Sequence, residues 1–209
     1  MRILVLANGE KPSAQLLEKL LSKCTYFIAT DGAGNTAIDM GYPPDLIIGD
    51  LDSYRAVDGF EGEVLFDPDQ ETNDLEKAFL HAEARQAARV DVLGGTGKKL
   101  DHTLKNLSVM QQLHQRFELI AFFDEVFYSR ILPRDYKITL APGHPVSLFP
   151  LSGTVDGIVT EGLRFPLYGE SLQNGVRDGS SNEAIQNDVR IRHQNGALLF
   201  MTRHLDQFF

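Results

Sequence analysis

The feature that most constrains this chain is an alternation of short apolar runs with amphipathic stretches that persists to about residue 123 and then stops. Strands are expected at Arg2 to Leu6, Tyr26 to Thr30, Leu46 to Ile48, Glu63 to Phe66, Val90 to Leu93 and Leu119 to Phe123. Between them, helices are expected over Ser13 to Lys23, where Leu16, Leu17, Leu20 and Leu21 share a face, and over Ala33 to Met40, Asn73 to Ala88 and Asp101 to Phe117. Strand and helix in turn predict an α/β domain with a mostly parallel, Rossmann-like sheet covered by helices.

From about Asp124 the helical periodicity disappears. Strands are expected at Val126 to Leu132, Lys137 to Leu140, Val146 to Phe149, Gly157 to Leu163, Val189 to His193 and Ala197 to Met201, separated by turns at Ala141-Pro142-Gly143, Ser152-Gly153 and Asn195-Gly196. Asn195-Gly196 reads as a hairpin turn. The expected organisation is therefore an α/β domain over residues 1–132 and an all-β, sandwich-like domain over residues 133–209.

Composition narrows the function classes. Of 209 residues, 43% are hydrophobic and 23% charged, which suits a globular fold. The formal charge of −9 argues against a nucleic-acid partner, since no basic run offsets it. The first apolar run is cut off by Asn8 to Pro12, too soon for a leader or a membrane span, and the single cysteine, Cys24, precludes an internal disulfide. A cytoplasmic protein is expected, with Cys24 a small buried hydrophobe lacking a basic neighbour.

Ligand sites in open α/β sheets lie beyond the carboxyl ends of the strands. There the residues are mostly aspartates: Asp31, Asp50, Asp52, Asp74 and Asp101. In extended backbone Asp50 and Asp52 would point to one side and meet one ion. Two carboxylates ~4 Å apart repel by ~4 kcal/mol at an effective dielectric of 20, so converging aspartates call for a hard divalent cation. An oxygen-only set suits magnesium, and the six histidines show no zinc spacing. Each acid also has a plain structural use: Asx turns at Asp50 and Asp52, and helix-start roles at Asp74 and Asp101, with Asn73 as N-cap and Lys77 as a partner. Gly94 to Lys99 can bring backbone N–H groups and two lysines to phosphate, although its spacing is not that of a Walker A loop. Gly32 to Ala37 fits G-x-G-x-x-A, a dinucleotide signature that keeps an NAD-dependent oxidoreductase in view.

Taken together, Asp31-Gly32, Gly49-Asp50-Leu51-Asp52-Ser53, Asp69 to Ala78, Gly94 to His102, Thr160 to Leu163 and Ser180-Ser181-Asn182 resemble the thiamine pyrophosphokinase family over nearly the whole chain. The resemblance implies transfer of the β,γ-pyrophosphoryl group of ATP to the hydroxyethyl oxygen of thiamine, releasing AMP. It implies that Asp50, Asp52 and Asp74 hold Mg2+, that Asp31, Asp74, Lys99 and Asp101 serve catalysis, and that Asp31, Gln70 and Asp101 line one cleft. Gln70, Gly94, Gly95, Lys98, Phe165, Ser181 and Asn182 would bind substrate. A homodimer is implied as well, the β-rich domain of one subunit completing the site on the other. The chain departs from the family's pattern in carrying Lys98-Lys99 for Gly-Arg, Asn73 for a threonine, and Phe165 in a chain without tryptophan. Rival readings are a pyrophosphokinase acting on a hydroxymethylpterin, the NAD enzyme, and a non-catalytic magnesium or nucleotide sensor.

Overall fold

A computed structural model describes residues 1–209, which divide into two compact units, Met1–Glu125 with Phe209, and Val126–Phe208. The division falls seven residues before the expected boundary at 132, because Phe127–Ile131 pairs with a strand near the C-terminus and is part of the second unit.

The first unit alternates as the sequence predicts: β1 (Arg2–Leu6), α1 (Ala14–Leu21), β2 (Tyr26–Thr30), α2 (Ala33–Asp39), β3 (Leu46–Gly49), β4 (Glu63–Phe66), α3 (Asp74–Ala84), β5 (Arg89–Leu93), α4 (Leu100–Leu113) and β6 (Leu119–Phe123). All strand pairings are parallel and run β6-β5-β1-β2-β3-β4. Strands β1, β2, β5 and β6 are each buried over four of five residues, as parallel strands covered on both faces must be. Helix α2 packs on β1 and β2, and α3 packs on β1, β2, β3 and α4; with the right-handed crossovers that parallel strands favour, α1 and α2 cover one face and α3 and α4 the other. The strand order reverses between β1 and β5, the position beyond whose carboxyl ends ligands bind in open α/β sheets; the two following loops run side by side there, the Glu10 N–H donating to the Thr96 carbonyl (2.9 Å).

Local chemistry sets the helix ends. Ser13 caps α1 by accepting from the Leu16 N–H, and Leu16, Leu17 and Leu20 form its buried face. Helix α3 begins where Asn73 accepts from the Glu76 N–H, and it stops at Ala84, four residues before the sequence suggests. There Gln86 adopts φ 58 and the Ala87 N–H reaches the Ala82 carbonyl, a left-handed termination made without glycine. A single turn of 3₁₀ helix at His114–Arg116 takes the place of the last expected turn of α4. Inside the sheet Asp91 is fully buried and accepts from Arg2 Nε (2.6 Å) and Arg89 Nε (2.9 Å), which offset the cost of burying its charge.

The second unit is all β. One antiparallel sheet runs β12 (Gly179–Glu183), β9 (Pro145–Pro150), β14 (Leu198–Arg203), β7 (Phe127–Ile131); the other runs β11 (Tyr168–Gln173), β10 (Thr154–Glu161), β13 (Asp188–Arg192), β8 (Asp135–Thr139). Their inner faces share a core, in which Tyr136 meets Phe200 edge-on at 5.5 Å. Two expectations fail. Strands β11 and β12 carry too few apolar residues to stand out in sequence. Asn195-Gly196 is not a hairpin turn, since β13 and β14 lie in different sheets; Gly196 is left-handed but Asn195 is not, whereas a type I′ turn needs both.

Candidate active site

Beyond the carboxyl ends of the first unit's strands lies a cleft of about 580 Å³. Asp31 follows β2, Asp50 follows β3, and Asp74 opens α3. One carboxylate oxygen from each lies within 4.8 Å of the others. Asp31 is buried and accepts from the Ser53 N–H (3.1 Å), while Asp50 accepts from the Asp52 N–H (3.3 Å) and from Gln70 Nε2 (3.4 Å). Gln70 sits on a loop shaped by its own acids, Asp69 accepting from the Glu71 N–H and from Thr72 Oγ1 (2.6 Å). These hydrogen bonds, led by that of Thr72, hold the Asp69 carboxyl below its ordinary pKa.

Asp74 is held from below. Lys77, one turn on and almost fully buried, donates to Asp74 Oδ1 (3.3 Å) and to the Asp67 carbonyl (2.8 Å). Burial raises the Asp74 pKa, Lys77 opposes the rise, and the charges of Asp50 and Asp31 add to it. Room for this carboxylate comes from Gly49, at φ 154, where a Cβ would fall 2.9 Å from the Asp74 Cγ.

Opposite the acids stands the glycine-rich loop. Gly94 (φ 64) presses on the loop after β1, where a Cβ would come within 2.3 Å of the Ala7 carbonyl oxygen; the Gly9 N–H in turn donates to the Gly94 carbonyl (2.9 Å). Gly95, Gly97, Lys98 and Lys99 line the cleft. Lys98 Nζ is tied to Asn8 through its carbonyl (3.3 Å) and Oδ1 (3.4 Å), whereas Lys99 marks the start of α4 at the cleft wall.

Within the first unit, some expected site residues stand apart from the carboxylate cluster. Asp52 lines the cleft but is not in the carboxylate cluster, and its Oδ1 accepts from Ser53 Oγ (2.8 Å). The i, i+2 argument requires extended backbone; Leu51, at φ 58, is left-handed and turns the two carboxylates apart. Asp31 joins Asp50 and Asp74 in its place. Asp101 is exposed, accepts from the His102 N–H (2.9 Å) and does not line the cleft, while His102 and Thr103 do. Gly94 also lies outside the lining. In the second unit Asn182 is buried, its Oδ1 accepting from the Phe165 N–H (3.0 Å) and its Nδ2 donating to the Phe165 carbonyl (2.8 Å), so its amide clamps the loop that exposes the Phe165 ring. Ser181 is exposed at φ 59, on the bulge where the β12 register shifts. Gly34 of the dinucleotide-like turn faces Ile47 instead of a ligand, a Cβ there coming within 2.6 Å of Cδ1. Sequence reasoning did not single out Gly49, Asn8 or Asn106 as site residues.

The donor set fits a hard cation. Two oxygens bound to one ion at about 2.1 Å lie at most about 4.2 Å apart, so small rotations of three side chains spaced within 4.8 Å bring them into range. The lining carries six carboxylates (Asp31, Asp50, Asp52, Asp69, Glu71, Asp74) against four ammonium groups (Lys77, Lys98, Lys99, Lys105), a surplus that would repel a polyphosphate arriving without a cation.

The chain is similar to known proteins over nearly its whole length. The family model for the thiamin pyrophosphokinase catalytic domain matches residues 17–121, and that for the thiamin pyrophosphokinase vitamin B1 binding domain matches residues 133–198. Thiamin pyrophosphokinase 1 of Caenorhabditis elegans is 31% identical over 217 residues, covering 92% of this chain and 85% of its own. Thiamine pyrophosphokinase of Bacillus subtilis (strain 168) is 24% identical over 210 residues, covering 97% and 98%. Among solved structures, thiamin pyrophosphokinase from Candida albicans superposes with a TM-score of 0.85 at 16% identity, over 97% of this chain and 89% of that one. The Bacillus subtilis enzyme gives 0.82 at 22%, over 99% and 100%. At these identities the superpositions speak for the fold, and it is the matched family models and the worm relative that establish that the chain belongs to the thiamin pyrophosphokinase family.

Proposed function

We propose that this chain transfers the β,γ-pyrophosphoryl group of ATP to the hydroxyethyl oxygen of thiamine, giving thiamine diphosphate and AMP. The observation that carries the reading is the convergence of Asp31, Asp50 and Asp74 across one cleft from a glycine-rich loop with two lysines. In the reaction an O–P bond forms at the β-phosphorus while the bond from that phosphorus to the α,β-bridging oxygen breaks. AMP leaves with that oxygen, and the hydroxyl proton passes to a carboxylate of the cleft.

Asp31, Asp50 and Asp74 would hold Mg2+, which when bound neutralises phosphate charge and orients the chain of phosphates. Gln70 keeps Asp50 turned inward, and Lys77 keeps Asp74 turned inward. Lys98, tethered to Asn8, braces the loop, while Lys99 and the loop amides accept charge that spreads onto phosphate oxygens. The acceptor side belongs to Phe165 and Ser181, with Asn182 positioning the Phe165 ring through its loop. Phe165 offers a smaller stacking face than tryptophan would. The working assembly is a homodimer in the cytoplasm; no helix is long and apolar enough to cross a membrane.

The test is AMP release from ATP and Mg2+ with thiamine, and in parallel with a hydroxymethylpterin. AMP formed only with thiamine is the expected result. AMP formed only with the pterin moves the assignment to that acceptor, and nucleotide binding without AMP from either sinks the transferase reading.

A further inference from the structure

Two asparagine side chains join the acidic half of the cleft to the glycine-rich half. Asn106, on the buried side of α4, donates from Nδ2 to the Gly95 carbonyl (2.8 Å) and accepts at Oδ1 from Asn73 Nδ2 (2.8 Å). Asn73 Oδ1 accepts from the Glu76 N–H (3.0 Å), closing the first turn of the helix that Asp74 opens. Both ends of this chain are backbone groups of fixed sense, a carbonyl that only accepts and an N–H that only donates. The orientation of each amide is thereby determined, and neither can flip without leaving a partner unsatisfied.

The backbone hydrogen bonds of α4 form without the relay, which leaves that helix from a side chain, and the N-cap of α3 needs only its Asn73 oxygen. What the remaining bonds accomplish is to fix the distance between Gly95, whose loop faces phosphate, and the helix start that carries Asp74. Gly95 lies close over the sheet, where an added Cβ would come 2.9 Å from the Phe122 ring. We infer that Asn106 and Asn73 are positioning residues that hold the phosphate-facing loop and the cation-binding carboxylates in register, so that cation and nucleotide strengthen each other's binding. The inference rests on the proposed function for its reaction but not for its geometry.

Two variants separate this role from the cap and from the core. Asn73→Ser keeps a hydroxyl that caps α3 as well as asparagine does, but it is too short to reach Asn106. Asn106→Leu preserves volume and removes both bonds. Binding of Mn2+ to the whole chain is measured alone and with α,β-methylene-ATP, whose bridge cannot be cleaved, alongside kcat and KM for AMP formation and the thermal midpoint. The expected result is unaltered Mn2+ affinity without nucleotide, about a tenfold loss of the tightening that nucleotide confers, and kcat lower by about ten- to a hundredfold with KM for thiamine retained. The double variant should be no worse than the poorer single one. Parental coupling and kcat in both variants, a loss of Mn2+ affinity without nucleotide, or additive losses in the double variant would each overturn the relay. A parent chain that makes no AMP counts against the reaction, and the binding measurements still decide the relay.

Discussion

At the residue scale the contrast between Asp50 and Asp52 is the sharpest test of the site. Asp31→Asn or Asp50→Asn should lower AMP formation by on the order of a hundredfold or more, the scale on which loss of one charge-stabilising group registers. Asp52→Asn, outside the cluster, should lose far less; equal losses would restore Asp52 as a ligand. The same acids predict how stability follows pH. The Asp74 carboxyl is raised, chiefly by burial, so its contribution is fully present below the ordinary carboxylate range and is lost as pH climbs through the raised value. With EDTA the chain should therefore lose stability through this group as pH climbs out of the ordinary carboxylate range, and added Mg2+ should raise the melting temperature more at neutral pH, where the carboxylate is ionised, than at the acid end of that range. An Mg2+ shift that is flat across this range would contradict a cation held by these carboxylates. Cys24 is governed by the same balance. Arg2 and Arg89 lie near it and pull its pKa down, contrary to the expectation of no basic neighbour, yet burial and Asp91 outweigh them and push the thiol up to about 12. The native thiol should react with iodoacetamide at pH 8 at least about a hundredfold more slowly than a free cysteine, because so little of it is present as thiolate. Unfolding should restore the rate.

At the scale of elements, the inner strands and the helices of the first unit were legible because burial on both faces forces mostly apolar runs and because caps leave marks such as Ser13 and Asn73. What the sequence hid was backbone handedness at residues other than glycine. Gln86 ends α3 and Leu51 turns Asp52 out of the cluster, and neither residue type announces a positive φ. Polar edge strands were hidden too: β12 is a run of Gly, Ser, Ser, Asn and Glu whose pairing is dictated by its neighbour β9. Close approach is the third hidden quantity, and Gly49 shows its consequence. An added Cβ at Gly49 meets not backbone but the Asp74 carboxyl, the movable end of a side chain. Gly49→Ala should rotate Asp74 out of the cluster, removing Mn2+ binding and AMP formation, while destabilising the chain by only about 1–3 kcal/mol through the unfavourable backbone angle. A variant that keeps Mn2+ affinity would mean Asp74 is not held by that contact.

At the scale of the whole molecule, the proposed function draws on the first unit for cation and nucleotide and on Phe165 and Ser181 of the second for the acceptor, and the family resemblance implies that each site draws on two subunits. That assembly has a numerical consequence. Take one chain carrying Asp50→Asn and another carrying Phe165→Ala with Ser181→Ala, each inactive by itself. If a site takes its acids from one subunit and its aromatic loop from the other, a mixed dimer holds one site with both lesions and one with none. Equal, freely exchanging mixtures contain about half mixed dimers by random pairing in a twofold assembly, so activity should return to about a quarter of the parent's. If every site is instead built within a single chain, each carries a lesion in every dimer and mixing restores nothing. Activity measured against mixing ratio, after a dissociation and reassociation step, distinguishes the two: a maximum at equal proportions supports the shared site, and a flat line at the level of the single variants rules it out.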